Sequence, residues 1–323
     1  MTHHTAFKHL TTALTLLLIA VGPIRAMKPP SLSVNVMPRS PVSGLSGLSD
    51  DRWGLGVTFW HSDRSRLQSG TRSVDNPLQE KTETLRTTLV WDFPLSPRWA
   101  ATAALPHVQT RSSFNGGGDS ASGPGDALLL VKYTLLQNPA GPISREVQLL
   151  AGVELPTGKT DAKDAAGSNL PAPQQPGSNS TDVVAGLAGA LNIRRASLYG
   201  DATYKLAGTR AYTFGDLFAL NAGVNVPLGL RARFSVTSEV NVEAAGRDTS
   251  SLPGPGVLPD RTVRDSGYET VYFTPGFQWR PTRRWTLSAA VQLPIHQNYR
   301  GTQLAADANW LFSIQGRWGR YGI

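Results

Sequence analysis

Residues 233–244 read RFSVTSEVNVEA, and the alternation inside this stretch decides the fold class. Phe234, Val236, Val240 and Val242 hold one parity, while Arg233, Ser235, Thr237, Glu239, Asn241 and Glu243 hold the other. A period of two places the two sets on opposite faces of an extended strand. Residues 145–155 repeat the scheme, with Val147, Leu149, Ala151, Val153 and Leu155 against Glu146, Gln148 and Glu154. In 285–295, Leu287, Ala289, Val291 and Leu293 oppose Thr286, Ser288 and Gln292. Past the N-terminal leader, no comparable stretch carries the i, i+3, i+4 spacing of a helix.

Working outward, twelve such strands are expected, at 52–62, 80–93, 98–111, 125–136, 144–155, 180–193, 196–207, 215–226, 231–244, 267–280, 285–297 and 306–320. The connections between them alternate between short and long. An even strand number, alternating segments of about ten residues, and turns short at one end and long at the other mark an outer-membrane barrel. Strands of a soluble sandwich average about five or six residues. Within hydrocarbon, every backbone N–H and C=O needs a partner, so a chain without apolar helices has to close its sheet into a ring. The expected fold is therefore all-β: a transmembrane antiparallel β-barrel of about twelve strands behind a cleaved signal peptide.

The leader carries Lys8, then the apolar run Leu10–Val21, then Gly22-Pro23 and the small-residue site ending at Ala26, the layout of a secretory signal. The expected organisation is a signal peptide at 1–26, a Pro/Ser-rich periplasmic segment at 27–51 and an outer-membrane β-barrel at 52–323. Of 323 residues only 17% are charged, below the roughly 25% of soluble domains, and none is cysteine, which excludes disulfides and thiolate metal sites. The net charge of +8 is scattered singly, with no Lys/Arg-rich run, so nucleic acid is not an expected partner.

Tryptophan placement bears on the same reading. Trp53, Trp91, Trp99, Trp279, Trp285 and Trp318 fall near expected periplasmic strand ends, and Trp60 and Trp310 toward the opposite ends. Trp310 and Trp318 stand eight residues apart, about 26 Å along a strand. Tilted, that approaches the roughly 25 Å apolar band with an aromatic girdle at each border. Trp53 and Trp60 differ in parity, so the first strand needs a bulge or an inward-facing indole.

Candidate chemistry is sparse. Gly152–Thr160 resembles a phosphate-binding loop but has five residues between its glycines where the motif has four, and no helix pattern follows. His61-Ser62-Asp63 is the one local hydrolase-like cluster, yet adjacent strand residues point to opposite faces. No catalytic, cofactor-binding or metal-binding residues are assigned, and no cofactor is expected. Proline follows an apolar residue at Pro106, Pro156 and Pro294, and Pro275 interrupts another strand. Each deletes a ladder hydrogen bond, consistent with an upper rim above the lipid or with a local bulge or lateral gap. By parity the lumen is expected to be lined by Arg86, Lys132, Glu154, Asp201, Arg233, Glu239, Tyr272, Gln292 and Arg317, with Glu146, Lys205, Glu243 and Gln278 beside them. Both signs occur, so a single-charge selectivity ring is not expected.

Several blocks carry a resemblance: Gly125-Asp126 leading to Lys132-Tyr133, Leu155-Pro156-Thr157-Gly158, Thr181-Asp182, Tyr272–Gln278, Val291–Ile295 and Gly301–Leu304. In order and spacing the chain resembles the outer-membrane family labelled as the meta-pathway of phenol degradation, over roughly residues 52–320. The resemblance implies a barrel for uptake or efflux of small organic compounds, aromatic or apolar ones among them. The chain departs from that pattern in its Pro/Gln-rich 156–179 segment and in ending Trp318–Ile323 instead of on a terminal aromatic.

The expected function is passive transport of small organic compounds through an outer-membrane pore, with outer-membrane lipid, a small-molecule solute and the barrel-assembly machinery as partners. The alternatives are a barrel enzyme acting on lipid and a closed structural or adhesive barrel that binds a partner through its long loops.

Overall fold

The structure is a computed structural model that describes residues 52–138, 143–193, 196–229, 233–254 and 256–319. The expected signal peptide, the 27–51 segment and the last four residues lie outside the described residues. The only helix among the described residues is a three-residue 3₁₀ turn at Ala172–Gln174, and no helix is long and apolar enough to cross a membrane.

Alternation produces the sheet anticipated from it. The strands are β1 (Arg52–Gly70), β2 (Lys81–Pro94), β3 (Trp99–Phe114), β4 (Gly117–Pro124), β5 (Ala127–Asn138), β6 (Ile143–Leu155), β7 (Asp182–Ile193), β8 (Ala196–Leu206), β9 (Leu217–Leu228), β10 (Phe234–Ala245), β11 (Tyr268–Trp279) and β12 (Trp285–Gly319). Neighbours in the chain pair antiparallel, and β1 returns to β12 with Arg52 opposite Gly319, so the sheet closes. β4 and β5 together make one pass: β3 pairs with β4 through His107–Phe114 and with β5 through Trp99–Ala104. The 35-residue β12 makes two passes, because Leu287–Tyr299 pairs with β11 and Tyr299–Gly319 with β1. The ring therefore has twelve passes.

Parts of three expected loops are strand instead. Within 112–124, β3 runs on to Phe114 and β4 covers Gly117–Pro124. Residues 63–70 continue β1, and 298–305 form the tight top of the β12 hairpin, where Gly301 sits at φ +84. A Cβ there would also meet the Asp265 carboxylate, so the turn needs glycine on both counts. Once the polar stretches on both sides find partners in the ladder, they have no reason to leave it. Pairing overrides local turn propensity.

The side-chain distribution is inverted relative to a water-soluble protein. Leu89, Leu129, Leu149, Leu187, Leu220, Val240 and Phe312 stand exposed on the outer face, while Gln148, Glu239, Asn241, Glu243, Gln278 and Gln292 are enclosed. Aromatic rings gather at the short-connection end: Trp53, Trp91 and Phe93 touch one another, Trp99 packs on Tyr133, Phe234 stacks on Trp279, and Trp285 meets Trp318 edge-on. All these tryptophans face outward, forming the lipid-border belt of an outer-membrane barrel. Trp60 differs. It points inward and is 1% exposed, so the parity conflict in β1 resolves as an inward indole.

The proline blocks have mixed outcomes. At Pro294 the register shifts, with Tyr272 opposite Pro294 but Val271 opposite His296, so Ile295 bulges outward. At Pro106 the wall is closed, because Gly125 N–H donates to the Pro106 carbonyl at 2.8 Å across the β4/β5 break.

Candidate functional site

Inward parity places most of the expected lumen residues on the inner wall. Lys132 is enclosed on β5, with its ammonium 3.5 Å from Asp92 on β2, and Asp92 also accepts the Thr102 hydroxyl at 2.5 Å. Glu154 lies 3.4 Å from Lys205, which also reaches Asp182 at 3.2 Å. Asp201 accepts from Asn221 at 2.9 Å, and Glu239 accepts the Tyr199 hydroxyl at 2.6 Å. Tyr272 and Gln292 are fully enclosed. Arg86 is half-buried on β2, in the electrostatic reach of Glu154 and Glu243, and Arg317 is half-buried near the belt end of β12. Arg233 is exposed just ahead of β10, where its carbonyl takes the Arg280 N–H at 2.7 Å.

These residues do not gather into one catalytic constellation. They are spread around the inner wall, which carries two further features, an amide network on one side and an apolar strip among the charges on the other. Across β9–β12 runs a continuous amide and hydroxyl network. Asn241 donates to Asn221 at 3.2 Å, its carbonyl accepts from Thr274 at 2.6 Å and from Gln292 at 3.5 Å, and Asn309 donates to Gln292 at 2.6 Å. Facing it, Val90, Ala104, Leu128, Leu130, Leu150, Val184 and Ala188 from β2–β7 pack as one enclosed apolar strip. The expectation of a polar interior missed this strip. Its signal was present in Ala127-Leu128-Leu129-Leu130-Val131, where apolar residues occupy both parities and so cover both faces of the strand.

The long connections are fastened by aspartates at the outer strand ends. Asp126 accepts the amides of Gly158 (2.8 Å) and Ser178 (2.6 Å), so both ends of the 156–181 segment are held at one carboxylate. There the two backbones approach so closely that a Cβ on Gly158 would lie 2.5 Å from the Gly177 Cα. The segment then folds against the wall, with Ala162 and Leu170 packed on Ala121 of β4. Asp216 accepts from Ala207 N–H and the Tyr204 hydroxyl, and Asp248 from Gly215 N–H and the Tyr212 hydroxyl. In the last long connection Asp260 accepts both the amide and the hydroxyl of Thr262, which holds its carboxyl below the usual carboxylate range. The Gly125-Asp126 and Thr181-Asp182 blocks thus have a mechanical role, since Asp182 also takes the Gly208 amide at 3.0 Å.

The hydrolase-like cluster separates as strand geometry demands. His61 and Asp63 lie together on the outer face, 3.3 Å apart, while Ser62 points inward. The serine therefore has no base beside it. Among the described residues no group of three or more His, Asp or Glu side chains is arranged to hold a metal ion. The glycine-containing Gly152–Thr160 stretch is the end of β6 running into the fastened loop, with no helix behind it.

With this geometry the chain is similar to an outer-membrane channel from Pseudomonas putida F1, at 15% identity and a TM-score of 0.62, covering 84% of this chain and 97% of that one. A looser likeness joins it to the translocator domain of the autotransporter NalP from Neisseria meningitidis (11% identity, TM-score 0.43, 85% and 90% covered). Another joins it to the P. putida toluene transporter TodX (9% identity, TM-score 0.38, 86% and 92% covered). No curated protein matches the sequence. The first likeness shows the fold, an outer-membrane β-barrel. The family profile described as "Putative MetA-pathway of phenol degradation" matches residues 62–293, more than half of the sequence. The chain belongs to that outer-membrane family.

Proposed function

We propose that this barrel is a passive outer-membrane facilitator for small, uncharged organic compounds that carry an apolar body and a polar group. The observation that carries the reading is the divided interior, an enclosed apolar strip on β2–β7 opposite an amide and hydroxyl network on β9–β12. A wholly polar lumen conducts ions and sugars. A divided one offers a simultaneous apolar contact and hydrogen-bond partners to an amphipathic molecule. The inner charges support neutrality of the cargo, because both signs occur along the wall, with Lys132 beside Asp92 and Lys205 beside Glu154 and Asp182. The phenol-degradation description of the family accords with such a cargo. Any driving force would be the solute gradient itself.

The test is uptake by porin-depleted Gram-negative cells, whose lipopolysaccharide leaflet is a poor solvent for small organics. Expression of the chain is expected to raise the initial uptake rate of labelled phenol or benzyl alcohol severalfold. Unchanged uptake of every small organic solute, from a heat-modifiable and surface-inserted protein, would remove the proposal.

A further inference from the structure

We infer that Trp60 is a movable shutter in the lumen that reads the hydroxyl group of a passing solute together with Ser62 and Asn309; this rests on the transport reading above. Seven of the eight tryptophans face lipid, and Trp60 alone turns inward, at mid-length of β1. Its ring packs on Ala290 and Leu311 of the two β12 passes. The next position along that ladder row, opposite Ala290, is Gly276. A bulky indole over positions with little side chain is a poor permanent plug, because it has no large neighbour to lock it on that side.

Two further enclosed polar residues lie around it. Ser62 is two residues along β1 on the same face, and Asn309 lies opposite Ser62 in the β1–β12 register. All three residues are at most 1% exposed. The Trp60 Nε1, the Ser62 Oγ and the Asn309 Oδ1 have no hydrogen-bond partner among the described residues, although the Asn309 amide nitrogen donates to Gln292. Enclosed polar groups are nearly always paired, so three orphans side by side call for an explanation. Together they present one donor, one hydroxyl of either sense and one acceptor. An alcohol or phenol supplies the complement in a single group, since its oxygen accepts from the indole N–H and from the Ser62 hydroxyl, and its hydrogen is donated to the Asn309 carbonyl. Its apolar body then lies against the indole face. A hydrocarbon leaves all three groups unpaired, and a carboxylate brings no donor for Asn309.

The closed arrangement is thus incompletely satisfied, and a hydroxylated solute is the ligand that satisfies it while the ring swings aside. A solute shifts such an equilibrium only through its differential affinity for the two states, and the orphaned trio supplies that difference.

The indole ¹⁵N–¹H signals of labelled protein in micelles test this directly, with the Trp60 signal assigned by its loss in Trp60→Phe. Benzyl alcohol is expected to shift the Trp60 signal and leave the lipid-facing ones in place, and toluene at equal concentration is expected to leave it unmoved. In cells, Trp60→Phe and Ser62→Ala should each reduce the preference for benzyl alcohol over toluene by about fivefold, the worth of one neutral hydrogen bond. Equal shifts with both compounds, no shift with either, or an unchanged preference in both variants overturns the inference. Failure of wild-type uptake with the benzyl alcohol shift still present would instead remove the transport reading and leave the binding site standing.

Discussion

At the scale of single residues, the enclosed charges are held by short, specific partnerships, and their loss should be read differently from the loss of a surface ion pair. Lys132 is almost completely enclosed and its partner Asp92 is mostly so. Removing one member leaves the other charge unmatched in a site of low polarity, which costs about 3 kcal/mol or more. Lys132→Met is therefore expected to lower the urea midpoint of unfolding in detergent, and Lys132→Met with Asp92→Leu to recover most of it. A double variant as unstable as the single one would show that the pair is not the reason. Asp126 works differently, through two backbone amides at 2.8 and 2.6 Å. Asp126→Ala should leave the barrel heat-modifiable yet speed protease cleavage within 156–181 by about a hundredfold, since two charge-assisted bonds are lost and each is worth roughly 1.5–3 kcal/mol. Neither residue announced its partner in the sequence. Lys132 and Asp92 are 40 positions apart, and only the ring brings β2 and β5 to one place.

At the scale of elements, the face of each strand that meets lipid sets the cost of a substitution. Leu187, half exposed at mid-length of β7, points outward, and its neighbour Ala188 points inward. On a water-soluble surface an exposed Leu→Arg change is worth within about ±0.5 kcal/mol. On the lipid face at mid-depth it costs about 2–4 kcal/mol. Urea titration of Leu187→Arg in phospholipid vesicles should show the larger value, and a change near zero would contradict the orientation of β7. The hairpin of β12 allows a second check at this scale. Gly301→Val forces a β-branched side chain into left-handed backbone against Asp265. Slower insertion into vesicles and a lowered unfolding midpoint are expected, with the β1–β12 closure as the affected seam. The strand pattern was legible wherever alternation was clean, as in β6 and β10. It failed at 63–70, 112–124 and 298–305, where polar, glycine-containing stretches read as loops until a partner strand lay beside them.

For the whole molecule, closure is the property from which the others descend. A ring with β1 paired to β12 has no edge, so unboiled protein in dodecyl sulfate should migrate apart from boiled protein, and identical migration would speak against a closed sheet. Closure also makes the inside a place where residues from distant strands face one another, which is how the apolar strip and the amide network come to oppose across one lumen. The outer aromatic belt marks the lipid border, and the inner apolar strip and amide network are the features on which the proposed transport rests.

Period-two patterning and tryptophan position were enough to determine the class of the protein: a lipid-embedded, all-β ring with inward polar positions. These are local properties, written along each strand by the rule that neighbouring side chains face opposite ways. The tertiary structure alone decided which inward residues meet. It paired Lys132 with Asp92, joined Asn221, Asn241, Gln292 and Asn309 into one network, gathered Leu128, Leu130, Leu150 and Val184 into one strip, and set Trp60 beside Ser62 and Asn309. The physical reason is that parity fixes a direction, inward or outward, whereas contact across a lumen depends on register and closure, which no single strand contains.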